Sequence, residues 1–455
     1  MPTRRTFLTG TAALLTVPSV SFAGGANELR AAASRIQLAP EGYGRTDVWT
    51  YDGQVPGRVL RLRQGERLET TLVNDLPQPT TVHWHGIRLP NGMDGVPGMT
   101  QDAVAPGGRF DYAFSVPDAG TFWYHPHANS AEQIGRGLSG VLVVDEAEAP
   151  EVDRDEVIQL SDWRMTEDAQ IDPSFGAMHD MSHAGRLGNW ITVNGNGALS
   201  KPVRAGERLR LRLVNTATAR VFALQLQGLE GWVMAVDGMP LDQPRTAGEL
   251  LLGPAQRADL IVDVTAAPGE EAFLVSYERN GGYAVTAFPV SGEAAQGRRA
   301  APKALPPNPV PEPVLGEGRT VAMPLEGGAM RGLQSASYEG RRLDWRALVQ
   351  SGQFWAMGGV AGMPDAPLVE AARGETIRIP MENRTMFPHA MHLHGHHFRE
   401  IGPDGQAGPL RDTTLIQPGE TREIAFVADN PGDWMLHCHM LSHQMSGMGT
   451  WIRVA

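Results

Sequence analysis

Gly65-Glu66-Arg67-Leu68-Glu69-Thr70-Thr71-Leu72-Val73-Asn74 is a turn, an alternating strand and a closing asparagine. The same pattern returns as Gly206-Glu207-Arg208-Leu209 through Leu213-Val214-Asn215, and again as Gly374-Glu375-Thr376-Ile377 through Pro380-Met381-Glu382-Asn383. Two further elements repeat in step with it. Pro106-Gly107 and Pro418-Gly419 precede strands ending in Ala113-Phe114 and Ala425-Phe426, and Gly253-Pro254 precedes Ala258 to Val262. Turns follow at Gly120, Gly269 and Gly432. Short alternating runs punctuated by Gly and Pro mark β-structure, and repetition at this scale marks duplicated domains. The expected fold is all-β: three consecutive Greek-key β-sandwiches over residues 36–146, 150–297 and 314–455, with a rigid, exposed, Pro-rich linker at 298–313.

The copies differ in their histidines. His83 and His85 follow Asn74 at the offsets at which His392 and His394 follow Asn383, whereas the stretch after Asn215 reads Phe222-Ala223-Leu224-Gln225-Leu226. His125 and His127 follow Gly120 as His437 and His439 follow Gly432; the middle copy has Leu274 and Ser276 there. Positions i and i+2 of a strand face the same way, so each His-x-His pair can present two imidazoles on one face. These pairs absorb eight of the 14 histidines. One such pair is commonly an accident of packing; matched pairs in two repeats imply one metal cluster made jointly by the first and third domains, with the middle domain as a spacer.

A second constellation surrounds the single cysteine. His389, Cys438, His443 and Met448 offer two imidazoles, a thiolate and a weak thioether, the donor set of a blue copper site. Cys438 lies between His437 and His439, so the thiolate of one site is covalently next to imidazoles of the other. Met448 as a plain core side chain is the competing reading.

The four motifs His83-Trp84-His85-Gly86, His125-Pro126-His127, His389-Ala390-Met391-His392-Leu393-His394-Gly395 and His437-Cys438-His439 through His443 and Met448 together resemble the three-domain multicopper oxidases, in particular bacterial laccases and periplasmic cuprous oxidases. The resemblance covers almost the whole chain after its N-terminal segment and implies that the three Greek-key sandwiches are cupredoxin-like. It implies four copper ions: a type 2 ion on His83 and His392; a type 3 pair on His85, His125, His127, His394, His437 and His439; and a type 1 ion on His389, Cys438 and His443 with Met448 axial. It implies catalytic roles for Cys438, His437 and His439 in electron transfer, and for Asp94 in proton delivery; the plain alternative for Asp94-Gly95 is an ordinary turn. The implied reaction is one-electron oxidation of phenols or aromatic amines coupled to reduction of dioxygen to water, with oxidation of Cu(I) for copper tolerance as the alternative.

One departure is Gln444, where cuprous oxidases of the family often carry a glutamate; an amide cannot release a proton at neutral pH. The stretch from Met323 to Met363 lacks a dense methionine run, which favours the broad laccase. Candidate soft contacts at the substrate rim are Met357, Met363, Met386, Met391, Met440 and Met445. Met178-His179-Asp180-Met181-Ser182-His183 reads as a mobile polar loop or as an extra exchangeable copper site. His396 and His397 are expected to support the ligands or lie at the surface.

Composition bounds the rest. The 455 residues carry a net charge of −12 and no basic stripe, which argues against nucleic acid as a partner. Arg4-Arg5, the apolar run from Leu8 to Phe22 and Ser21-Phe22-Ala23 resemble a twin-arginine signal over residues 1–23. The expectation is therefore a periplasmic, monomeric protein, not membrane-spanning once cleaved, that meets the twin-arginine export machinery, dioxygen and a small reductant. A silent protein of the same fold would lack the ligands, and a copper nitrite reductase would need neither three domains nor eight cluster imidazoles.

Overall fold

A computed structural model describes residues 28–278, 281–293 and 299–455; the expected signal segment lies outside them. The described residues are all-β, with only short helices among them. The first unit pairs a four-stranded sheet containing Glu28–Ile36 and Arg67–Asp75 with a second four-stranded sheet that ends on Gly120–His125 and His83–His85. The middle unit has two six-stranded sheets, and the third has two five-stranded sheets. One of the latter runs Val369–Ala371, Gly449–Val454, Gly432–Cys438, His389–Leu393, Thr413–Ile416. Among the described residues no helix is long and apolar enough to cross a membrane.

The repeated asparagine works identically in each copy. Asn74, Asn215 and Asn383 are fully buried. Each side-chain oxygen accepts from the amide two residues on, at Leu76 (3.0 Å), Ala217 (2.9 Å) and Thr385 (3.0 Å). Each side-chain nitrogen donates to two carbonyls: Gln78 and Val104, Arg220 and Leu252, Phe387 and Ile416. A buried amide is tolerated only when satisfied, and these are. The repeated turn closes on the same residue: Gly107, Ala255 and Gly419 donate their amides to the carbonyls of Asn74, Asn215 and Asn383. All three turn residues have positive φ (76°, 70° and 76°), so the middle copy holds an alanine where glycine is favoured, at a cost of about 1–2 kcal/mol.

The first and third units share one apolar core that runs from Leu29, Trp84 and Phe122 to Trp355, Leu393 and Trp434. The middle unit has its own. Its strand Arg208–Asn215 alternates Arg and Leu, yet both faces are buried. Arg210 pairs with Glu146 of the first unit (2.7 Å) and with Asp259 (2.6 Å), and Arg212 donates to Thr121 Oγ1 (3.0 Å). Removing one partner of such a buried pair costs on the order of 3–5 kcal/mol.

Two expectations change. The first sheet begins at Glu28, ahead of residue 36, because Glu28–Ile36 pairs with Thr46–Tyr51 and with Arg67–Asp75. The Pro-rich run has no helix or strand from 299 to 314, but it is not simply exposed. Leu305 is buried beside Met234 and Ile261, and Asn308 exchanges hydrogen bonds with the Ala119 backbone (2.8 and 2.7 Å).

Candidate metal centre

Strand alternation separates two donor sets. In His83–His85, Trp84 points into the first core against Tyr112 and Phe114, so both histidines point out of it. In the third unit, Met391 pairs with Cys438 and His392 with His437 across neighbouring strands. Met391, Leu393, Leu436 and Cys438 belong to the core. His389 shares their face, whereas His392 and His437 take the opposite one. One pair of strands therefore serves a site inside the sandwich and a second site between units.

The site between units holds eight buried imidazoles. Rings from opposite units stack: His85 on His392 at 3.7 Å and His83 on His394 at 3.9 Å between centroids. Donor atoms converge in the groups His85/His125/His439, His127/His394/His437 and His83/His85/His392. The outward nitrogen of several rings is spoken for. His394 Nδ1 bonds to Asp94 Oδ2 (2.9 Å), His437 Nδ1 to the Cys438 carbonyl (3.1 Å), His125 Nδ1 to the Pro126 carbonyl (3.0 Å) and His85 Nε2 to Asp412 Oδ1 (3.0 Å). Those partners accept, so His394 Nε2, His437 Nε2, His125 Nε2 and His85 Nδ1 are left as lone pairs toward the cluster. His394 Nε2 is 3.1 Å from His437 Nε2, and His125 Nε2 is 3.4 Å from His85 Nδ1 and from His439 Nε2. His83 Nε2 and His392 Nε2 are buried with no hydrogen-bond partner. Burial pushes His85, His125, His127, His394, His437 and His439 well below the ordinary histidine range, with neighbouring imidazoles adding to it, so protons do not relieve this crowding. Converging neutral lone pairs fit metal cations.

The site inside the third sandwich joins His389, Cys438 and His443. His389 Nδ1 lies 3.1 Å from His443 Nδ1, and Cys438 Sγ lies 3.7 and 3.8 Å from them. Thr385 Oγ1, which donates to Asn383 Oδ1, accepts from His389 Nε2 (2.9 Å); the His183 carbonyl accepts from His443 Nε2 (2.6 Å). Both Nδ1 atoms thus aim lone pairs at the sulfur. Burial lowers His443 to about 4 and raises the Cys438 thiol to about 12, so a coordinated cation is what would make the thiolate. Met448 is buried, its amide bonded to the His443 carbonyl (3.0 Å) and its carbonyl to the Cys438 amide (3.1 Å), which holds it beside both. Trp355 covers His443 at 4.3 Å between centroids. Imidazole and thiolate donors suit copper, not the oxygen-seeking calcium or magnesium.

Asp94 is buried among the cluster rings. Besides holding His394, its carbonyl accepts from His83 Nδ1 (2.9 Å). Sequence reasoning missed Asp412, also buried, which holds His85 through Oδ1 and accepts from His392 Nδ1 (2.9 Å) through its carbonyl. A lone aspartate before two threonines carries no local signal of that role. Gln444 instead accepts from Ser130 of the first unit (3.3 Å).

Some expectations need correction. Of the two alternatives for His396 and His397, the surface one falls: both are buried, burial lowers both to about 4, and His396 Nδ1 bonds to the carbonyl of His394 (3.2 Å). Met357, Met391 and Met440 are core residues, so of the six rim candidates only Met363, Met386 and Met445 are exposed. Met178–Ser182 is a short helix packed on the helix Leu441–Met445, with Asp180 buried and paired to Arg164 (2.6 Å) and the Met181 carbonyl receiving Trp355 Nε1 (2.5 Å). The segment is a helix rather than a loop, and these bonds anchor it.

Models described as multicopper oxidase match residues 32–149, 154–289 and 341–455. The chain is 31% identical over 436 residues to Multicopper oxidase MmcO of Mycobacterium tuberculosis, covering 88% of this chain and 82% of that protein. Its structure resembles that of a multi-copper oxidase from Pseudomonas thermotolerans (TM-score 0.82, 35% identity, 94% of this chain and 98% of that one). It also resembles Lac15 from a marine microbial metagenome (TM-score 0.77, 42% identity, 94% and 99%). Three cupredoxin-like sandwiches with metal donors in the first and last define a copper-dependent oxidoreductase. The chain belongs to the multicopper oxidase family.

Proposed function

We propose that this chain is a laccase-type oxidase that takes single electrons from phenols or aromatic amines and reduces dioxygen to water. Four copper ions would be held: a type 1 ion by His389, Cys438 and His443 together with Met448, a type 2 ion by His83 and His392, and a type 3 pair by the other six cluster histidines. Bound there, copper supplies one-electron redox chemistry at the thiolate and multi-electron reduction of dioxygen at the imidazoles. The observation that carries the reading is the two-faced strand, on which Cys438 faces the inner site while His437 and His439 on either side of it face the cluster.

The chain's own residues do the rest. His389 and His443 are locked by Thr385 and by the His183 carbonyl, which limits rearrangement when an electron arrives. Burial keeps bulk water from the cluster. Asp94 lies within hydrogen-bond reach of His83 and His394 and is placed to orient water and pass protons. Asp94→Asn is expected to keep the colour of the thiolate site while slowing turnover roughly 10–100-fold, the usual cost of losing a partner of a metal ligand. Unchanged steady-state oxygen consumption would remove Asp94 from the mechanism.

The broad reductant is supported by the third unit, where the stretch from Met323 to Met363 forms short strands and a methionine-free six-residue helix, Trp345–Gln350, and its four methionines form no dense run. A second reading, oxidation of Cu(I), is favoured by exposed Met178, Met330, Met363, Met386 and Met445, since thioethers suit that ion. Oxygen consumption measured side by side with Cu(I) and with a dimethoxyphenol separates them. Preference for Cu(I) by orders of magnitude would overturn the laccase reading. The twin-arginine pattern supports export of the folded monomer to the periplasm, and intact mass and gel filtration of the exported protein check the cut near Gly24 and the monomer.

A further inference from the structure

We infer that Arg257, from the middle unit that contributes no ligand, is a positioning residue for the imidazole cluster, acting through Asp412. The inference rests on the reading that the cluster histidines hold copper.

Arg257 is fully buried where all three units meet. Its Nε donates to the Thr121 carbonyl of the first unit (3.1 Å). Its Nη1 and Nη2 grip Asp412 of the third unit at both oxygens (2.9 and 2.5 Å). Its own amide is held by Asp237 Oδ1 (2.9 Å), and Asp237 also takes Arg411 (3.3 Å). Asp412 is thereby fixed in rotation. Its Oδ1 accepts from His85 Nε2 and from Thr413 Oγ1 (2.7 Å), and its carbonyl accepts from His392 Nδ1. One carboxylate residue therefore assigns the proton on two rings, leaving His85 Nδ1 and His392 Nε2 bare toward the cluster. With both oxygens gripped by the Arg257 guanidinium, the Asp412 carboxylate is presented to the histidines as an acceptor.

The plain alternative is an ion pair that only glues domains. Two observations weigh against it. First, Gly86, which closes His83-Trp84-His85-Gly86, has φ +85° and lies so close that an added Cβ would be 2.5 Å from both Arg257 Nη2 and Asp412 Oδ2. The glycine of the ligand motif is thus required by the pair and ties it to the ligand strand. Second, Arg210 and Arg212 are buried just as deeply in the same sheet, yet the partners named for them make no hydrogen bond to a cluster histidine. Buried ion pairs contribute little net stability, whereas partners that orient ligand histidines affect metal affinity strongly.

The test compares copper-loaded Arg257→Met with Arg210→Met. Three readouts are taken: copper per chain by mass spectrometry, the visible band of the thiolate site, and the paramagnetic-resonance splitting of the ion between His83 and His392. Arg257→Met is expected to keep the visible band, to change the splitting, and to release cluster copper to a chelator roughly 10–100-fold more readily. Arg210→Met is expected to keep both spectra, whatever its stability. Unchanged splitting and copper retention in Arg257→Met would overturn the inference, as would an equal change in Arg210→Met. Should Arg257→Met not fold, Asp412→Asn, similar in shape but uncharged, must alter the same splitting, and a normal spectrum there overturns it too. Unmodified protein that binds no cluster copper would instead remove the copper reading beneath it.

Discussion

Cys438→Ser is expected to yield a folded, colourless protein that no longer oxidises a phenol. The sulfur lies 3.7 and 3.8 Å from two imidazole nitrogens whose other ring nitrogens are already bonded, so nothing else in the inner site can supply a soft, negatively charged donor. A serine hydroxyl is a hard donor that does not ionise at neutral pH, and the thiolate-to-copper absorption at about 600 nm should vanish with the sulfur. Folding should survive: a buried, poorly paired hydroxyl costs about 1–3 kcal/mol. The cluster imidazoles are untouched, so cluster copper should still bind. Retention of the blue band, or of wild-type oxygen consumption, would show that electrons enter elsewhere.

His394→Gln is the complementary case. His394 is held by Asp94, its Nε2 is 3.1 Å from His437 Nε2, and its ring stacks on His83. Loss of that imidazole removes a donor and frees Asp94, so the cost in turnover should exceed the roughly 10–100-fold typical of outer partners. The inner site should remain blue, since Cys438, His389 and His443 keep their contacts. A phenol should then bleach it once, and dioxygen should not restore the colour. Rapid recovery of the band after oxygen is admitted would contradict the division of labour between the two sites.

Much of this arrangement was legible because strand geometry has a period of two. His83/His85 and His437/His439 declared their facing by spacing, and Asn74, Asn215 and Asn383 marked equivalent turns because the same three hydrogen bonds are needed at each. What was not legible lies between units. The alternation in Arg208–Asn215 marks a strand but not its surroundings: both faces are buried because its arginines meet Glu146 and Thr121 of another unit. Asp412 and Arg257 are 155 residues apart and carry no motif; only packing makes them partners. The middle unit, expected as a spacer, supplies the arginine that grips Asp412 and the His183 carbonyl that fixes His443.

The central claim is that the two donor sets form one four-electron device. The most direct measurement is a count: copper-loaded protein, fully reduced without oxygen, is mixed with a known excess of dioxygen, and the oxygen consumed and any hydrogen peroxide released are quantified per chain. The account predicts four copper ions per chain, one dioxygen consumed per reduced chain, no peroxide, and return of the blue band. Two electrons per dioxygen with stoichiometric peroxide, or a chain that binds only the inner copper, would contradict it.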